Sequence, residues 1–138
     1  MSRRRQVRLP SLDTRPNINK RKRFVCQHVF PELTSVCPVT RLPDFYTMKF
    51  VYEPDSKLVE LKSLKLYLMA YRDMEILHEE LANQILDDLV RAIDPRWAVI
   101  QLDVNVRGGI RTIVSRHWRK KKGDKIPAAW THDAEESA

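Results

Sequence analysis

Two hydrophobic periods, and the points where one gives way to the other, constrain this chain more than any other feature. Tyr46, Met48, Phe50 and Tyr52 alternate with Thr47, Lys49, Val51 and Glu53, a period of two that predicts a strand with a distinct face. After the turn signal Pro54-Asp55-Ser56 the period changes. Leu77, Leu81, Ile85, Leu89 and Ile93 recur every four residues, with Leu86 and Val90 widening the stripe. That pattern predicts an amphipathic helix ended by Asp94-Pro95, because proline disfavours helical geometry in the residue before it. Leu61, Leu64 and Leu68 predict a shorter helix over about residues 62–71. The period of two returns at Ala98, Ile100, Leu102, Val104 and Val106. It resumes after Arg107-Gly108-Gly109 at Ile110–Val114, which predicts a hairpin joined through the diglycine. Upstream, Phe24–Phe30 is rich in strand formers and is expected to end at Pro31. The layered solution is an α+β domain, an antiparallel β-sheet with two helices on one face. So small a sheet has open edges, and edges invite neighbours, so an oligomer is expected.

The 138 residues are one domain's worth. No run of about 18 apolar residues is present to cross a membrane, and the basic N-terminus lacks the apolar stretch of a secretory signal. Two cysteines, Cys26 and Cys37, make no disulfide framework and fit a reducing cytosol, so a cytoplasmic protein is expected. The net charge of +7 is uneven: residues 1–23 carry nine Lys/Arg against one acid, whereas residues 24–110 carry nine against thirteen. The chain divides into a basic arm over 1–22, a folded domain over 23–116 and a basic, polar tail over 117–138. The runs Ser2-Arg3-Arg4-Arg5, Lys20-Arg21-Lys22-Arg23 and Arg119-Lys120-Lys121-Lys122 have two readings. They are cations for RNA phosphates, or solvated, poorly ordered tails. No aromatic-rich basic surface accompanies them, which favours the second.

Cys37 lies in a connection between Pro31 and Pro43, with Asp44 seven residues on. A thiolate attacks electrophilic carbon once its pKa falls toward neutrality, and a nearby carboxylic acid delivers a proton to the atom that gains charge. The bland alternatives are an inert buried thiol and a turn aspartate that satisfies backbone amides. His78-Glu79-Glu80 opens the long helix, where the macrodipole alone favours acids. The same residues pair a carboxylate that can accept two N–H bonds with an imidazole that can move protons. Lys62 and Lys65 are three apart and share a helical face. They are a solvated face or a site for phosphates, to which Arg107 at the hairpin turn adds a cation. Cys26, His28 and Cys37 are ligand types for zinc, but not at ribbon or finger spacing, and no metal is expected.

Taken together, Cys37-Pro38-Val39-Thr40, Pro43-Asp44-Phe45, the segment Val59-Glu60-Leu61-Lys62-Ser63-Leu64-Lys65-Leu66-Tyr67, Leu77-His78-Glu79-Glu80 and Arg107-Gly108-Gly109-Ile110 resemble the QueF family. Its members are NADPH-dependent 7-cyano-7-deazaguanine reductases of queuosine biosynthesis, here in the short single-module form. The resemblance covers about residues 24–114. It implies a tunnelling fold (T-fold), in which subunits join their sheets into an oligomeric barrel with active sites between subunits. It implies that Cys37 adds to a nitrile carbon to give a covalent thioimide, with Asp44 as the acid and His78 as a proton shuttle. Val59, Glu60, Leu61, His78 and Glu79 would hold the deazapurine, and Lys62, Lys65 and Arg107 would receive NADPH, two per turnover. Arg41-Leu42 stands where the family often has Gly-Gln. Leu81 follows Glu80 where some relatives carry a second cysteine, so Cys37 has no protective disulfide partner there.

Two rivals frame this reading. A QueF-like amidine synthase uses the same thioimide, lets ammonia attack it, and acts on a nitrile base already in tRNA. The lysine-bearing segment 60–67 argues for reduction, and the basic arms argue for tRNA. A non-catalytic RNA-binding protein, with the arms as its working part, is the rival from another class.

Overall fold

The computed structural model describes residues 7–131. A four-stranded antiparallel sheet is its centre, in the order β2 (Cys26–Val36), β3 (Pro43–Glu53), β5 (Trp97–Arg107) and β6 (Ile110–Arg119). A separate two-stranded pair joins β1 (Thr14–Pro16) to β4 (Lys57–Val59). Between β4 and β5 the chain makes α1 (Leu61–Met69), a 3-10 turn over Ala70–Asp73 and α2 (His78–Ile93).

The expected alternation sets the layers. Tyr46, Met48, Phe50 and Tyr52 of β3 and Ala98, Ile100, Leu102 and Val104 of β5 point to the helix side and are buried there. Leu81, Ala82, Ile85, Leu86, Leu89 and Ile93 of α2 meet them in one core. Each fully buried Leu or Ile contributes roughly 1.5–3 kcal/mol. Helix α1 adds Leu64, Tyr67 and Leu68 to the same core. It starts at Glu60, whose carboxylate accepts from the Ser63 amide at 2.5 Å, as an N-cap does. Helix α2 ends with Asp94 in the left-handed region (φ 45°) and its N–H on the Val90 carbonyl. The stop expected from Pro95 is therefore shaped by Asp94 as well.

Three expectations need revision. The first strand does not stop at Pro31. It runs on to Val36, with a register shift between Phe30 and Leu33. Pro31 is tolerated because β2 is an edge strand and the bulge falls where an N–H is missing. The second hairpin strand reaches Arg119, not Val114, so Trp118 lies in the sheet opposite Ala98. Beyond it, Ile126 and Trp130 pack on Val51, Trp97 and Val99 across the far face. Residues 117–130 of the expected tail are thus attached to the domain. The N-terminal segment is docked too. Val7, Leu9 and Leu12 lean on the main core, β1 pairs with β4, and the Asp13 amide donates to Ser63 Oγ at 2.9 Å. The hairpin itself is as expected, with Gly108 and Gly109 at φ 57° and 80°, the positive values that a two-residue turn of this kind requires.

Two of the basic runs enter an ion-pair network. Arg23 and Arg96 reach Glu53, and Lys20, Arg96 and Lys120 reach Asp55. Trp97 Nε1 also donates to Glu53. The run Ser2–Arg5 lies outside the described residues. No helix among the described residues is long and apolar enough to cross a membrane.

The hydrogen bond from Lys120 holds the Asp55 carboxyl below its ordinary value, against the opposing cost of burial, with help from the Lys120, Arg96 and Lys20 charges. A depressed folded-state pKa means that this stabilisation is complete above the unfolded value and is lost as pH falls through the folded one. Asp55→Asn is expected to lower stability at neutral pH by about 1 kcal/mol or less. The deficit should vanish well below the ordinary Asp value of about 3.9. Urea unfolding at both conditions checks this.

Candidate active site

One backbone contact assembles the first group of candidate residues. Segment 74–76, which leads into α2, lies parallel to the end of β2: Val36 N–H donates to the Met74 carbonyl at 2.9 Å and Ile76 N–H to the Val36 carbonyl at 3.0 Å. The N-terminus of α2, with His78 and Glu79, is thereby set beside the loop that follows Val36. That loop holds Cys37 in a tight turn, with Arg41 N–H on the Cys37 carbonyl at 2.8 Å and Cys37 N–H on the Leu42 carbonyl at 2.9 Å. Arg41 closes it at φ 61°, in the left-handed region where glycine is at ease and a side chain is strained. The Gly-to-Arg departure thus falls on the position that most suits glycine. Arg41 is offset there by an ion pair to the buried Glu75 at 3.4 Å.

The turn also prepares the thiol. The Thr40 amide lies 3.5 Å from Cys37 Sγ, and Leu42 N–H donates to Thr40 Oγ1 at 3.2 Å, which leaves the Thr40 hydroxyl proton for the sulfur. Hydrogen bonds from the Thr40 side chain and then its backbone pull the Cys37 pKa below the ordinary thiol value. Slight burial and the Asp44 charge push the other way. Cys26 is the opposite case, raised by burial, and it sits at the far end of β2, on the order of 30 Å away by strand rise. Cys26 and His28 share a strand face, but Cys37 does not join them. No cluster of three metal-ligating side chains occurs among the described residues.

Asp44 is not a loop residue satisfying backbone amides. It is the second residue of β3, buried, on the same side as Tyr46. Its carboxylate faces Arg107 Nη1 at 3.3 Å and His78 Nδ1 at 3.9 Å. Arg107 also donates to the Pro43 carbonyl. Arg107 is thus paired with the acid, at the opposite end of β3 from the lysines. His78 Nδ1 is 2.8 Å from Tyr46 Oη, and Tyr46 Oη is 2.8 Å from Ser35 Oγ. Sequence reading passed over Ser35, Thr40 and Tyr46. Tyr46 sits at a position that the alternation marks as core, Ser35 lies beyond the strand end expected at Pro31, and only the Cys-x-x-Thr spacing hints at Thr40.

The second group lies elsewhere. Val59, Glu60, Leu61, Lys62 and Lys65 gather at the start of α1, where Val59 N–H donates to Tyr52 Oη. Tyr52 is eight residues from Asp44 along β3, on the order of 25 Å. Lys62 lines a groove of about 520 Å³ with Arg15, Thr14, Asp13 and Glu60. Lys65 lines another of about 300 Å³ with His28, Leu61 and Met48. Neither ammonium is engaged in an ion pair among the described residues, so both fit a ligand that carries phosphates. Glu60 is committed to the helix cap: its pKa is lowered chiefly by the Ser63 amide.

Comparison with known proteins concerns the chain as a whole. A family model described as "QueF-like protein" matches residues 43–123. The "NADPH-dependent 7-cyano-7-deazaguanine reductase" of a Synechocystis species is 42% identical over 118 residues, 86% of each chain. The protein of that name from Alkalilimnicola ehrlichii is 48% identical over 109 residues, 79% of this chain and 84% of the relative. The one from an Anaeromyxobacter species is 47% identical over 113 residues, 81% and 93%. Among solved structures, the apo form of "the archaeosine synthase QueF-Like" superposes with a TM-score of 0.64 at 25% identity, covering 67% of this chain and 91% of that one.

Because the thiolate is the reacting form, alkylation of Cys37 by iodoacetamide should rise with pH through a midpoint below that of an ordinary thiol. Cys37 should react ahead of Cys26. Thr40→Val removes the hydroxyl donor and should move the midpoint up, as peptide mass spectrometry across pH would show.

Proposed function

This chain belongs to the QueF family, and from that premise we propose that it reduces 7-cyano-7-deazaguanine to the 7-aminomethyl base, with NADPH as reductant. The observation that carries the proposal is the Cys37 thiol, lowered in pKa and within reach of the charge of Asp44, whose carboxylate lies 3.9 Å from His78 Nδ1. The curated relatives named as this reductase support it.

In this reading the Cys37 thiolate adds to the nitrile carbon, and the nitrile nitrogen takes up a proton from the Asp44–His78 pair, giving a thioimide. A positioned acid typically contributes about 10²–10⁴-fold. NADPH supplies a hydride twice per nitrile. The Cys37 sulfur leaves as thiolate between the two reductions, and the imine set free must be kept from water until the second. A further proton on nitrogen completes the amine, so each nitrile consumes two NADPH and two protons. Glu79, with His78, is assigned to the deazaguanine edge, joined by Val59, Glu60 and Leu61. Lys62 and Lys65 are assigned to the phosphates of NADPH. Arg107 is assigned to the Asp44 carboxylate.

Reacting atoms must approach to about 3–3.5 Å, yet the lysines and Cys37 lie at opposite ends of β3. We assign the missing half of each site to a neighbouring subunit, in a barrel joined through the open edges β2 and β6. The exposed Val39, Leu42, Phe45, Val106 and Ile110 cluster around the Cys37 end and offer apolar surface for such a contact. The reduced cysteines suit a cytoplasmic enzyme.

The amidine synthase remains the second reading, because the superposed archaeosine synthase shares the fold. Lys62 and Lys65, without an ion pair among the described residues, favour reduction. The RNA-binding reading loses ground, since Lys20, Arg23 and Lys120 are turned to Glu53 and Asp55.

Assay of the free nitrile base should show two NADPH oxidised per base. Product formed without NADPH oxidation, only with ammonia and tRNA, would shift the assignment to the synthase. In the same assay, Cys37→Ala and the double variant Lys62→Ala/Lys65→Ala should each be inactive. Mixed and reassembled, they should regain activity if each site draws on two subunits, and gain nothing if each site is self-contained.

A further inference from the structure

Behind His78 runs a short chain of buried hydroxyls that the reaction described above does not use. Tyr46 Oη stands 2.8 Å from His78 Nδ1, with the two rings edge-on at 5.4 Å between centroids. Ser35 Oγ stands 2.8 Å from Tyr46 Oη, and the Ser35 residue is fully buried.

Proton counting fixes the direction of this chain. Tyr46 is the hydrogen-bond partner of Ser35 Oγ among the described residues. Were Ser35 to accept from Tyr46, its own hydroxyl proton would be buried without an acceptor, which native structures avoid. Ser35 therefore donates to Tyr46, and Tyr46, which has one proton, donates to His78 Nδ1. Burial pushes the Tyr46 hydroxyl up, with Asp44, Cys37 and Glu79 adding in the same direction, so it stays a neutral donor. The competing partner of Nδ1 is the Asp44 carboxylate, but at 3.9 Å it is beyond hydrogen-bonding range, and its other oxygen is taken by Arg107. With Nδ1 accepting, the neutral ring carries its proton on Nε2.

We infer that Tyr46, backed by Ser35, is a positioning residue that holds His78 in the tautomer with Nε2 protonated and ready to donate. This deepens the proposed function and rests on it only for the identity of the acceptor, the substrate nitrogen. The hydrogen bond from Tyr46 to Nδ1 thus decides which ring nitrogen can act, as it does wherever a histidine's two nitrogens have different partners.

The test separates the hydrogen bond from the reaction. The full-length protein is labelled with ¹⁵N-histidine, and the His78 signals are assigned with His78→Gln. Wild type should show Nε2 protonated and Nδ1 as an acceptor, without substrate. Tyr46→Phe and, independently, Ser35→Ala should shift His78 toward a mixture of tautomers. In turnover, Tyr46→Phe should lower kcat by roughly tenfold, the lower edge of a proton donor's contribution. KM and the alkylation of Cys37 should stay near wild type. Nδ1 protonated in wild type, or an unchanged tautomer in both folded variants, would overturn the inference. A wild type with no nitrile turnover would overturn the proposed function and the catalytic half of this inference with it. The tautomer measurement would still decide the hydrogen-bond half.

Discussion

The site depends on the two hydrogen bonds that tie Val36 to Met74 and Ile76. Cys37, Asp44 and His78 come from a loop, a strand and a helix that are separate in sequence. Cys37 and Asp44 are brought together by the turn at the β2–β3 hairpin, which is local. His78 arrives only because segment 74–76 runs alongside the end of β2. The Arg41–Glu75 ion pair crosses the same junction, from the turn to that segment. Weakening the junction would leave the thiol in its turn but move the imidazole and the helix N-terminus away from it. Geometry of this kind is sensitive, since small displacements of a catalytic group are costly.

The second organising fact is the length of β3. Its first residues carry the acid and its last residues lead into the capped start of α1 with Lys62 and Lys65. A rigid strand in the middle of a packed core keeps these two ends apart. The polar chemistry of the chain is therefore split between two poles of one subunit, and a partner is the economical way to reunite them. The docked N-terminal segment belongs to the lysine pole: β1 pairs with β4, and Asp13 bonds to Ser63. Removing residues up to 16 would thus disturb the lysine-bearing segment itself, so truncation is a poor way to ask whether the basic arm binds RNA.

Much of this was legible in the sequence, and the misses have physical causes. The two periods located α2, β3, β5 and the diglycine hairpin, because burial on one face imposes them directly. Leu9 and Leu12 were passed over because a short docked segment has too few residues to show a period. Pro31 read as a strand end because a bulge on an edge strand relieves what proline costs elsewhere. The cysteine, acid and histidine were proposed by residue type and by resemblance, but the groups that contact them in the fold were not. Tyr46 occupies a core position in the alternation, so its hydroxyl was invisible until its neighbour was known. Arg107 was read as one cation among three, because sequence gives no sign that the hairpin tip folds back over Asp44. The strain at Arg41 was likewise hidden, as φ is a property of the turn and not of the residue.

The most direct measurement is intact and peptide mass spectrometry of the protein incubated with 7-cyano-7-deazaguanine in the absence of NADPH. Addition of a thiolate to a nitrile loses no atoms. The account therefore predicts a gain of one whole substrate mass per subunit, carried on the Cys37 peptide, absent from Cys37→Ala and discharged when NADPH is supplied. An adduct that survives Cys37→Ala, or no adduct from a folded protein that nonetheless turns the nitrile over, would contradict it.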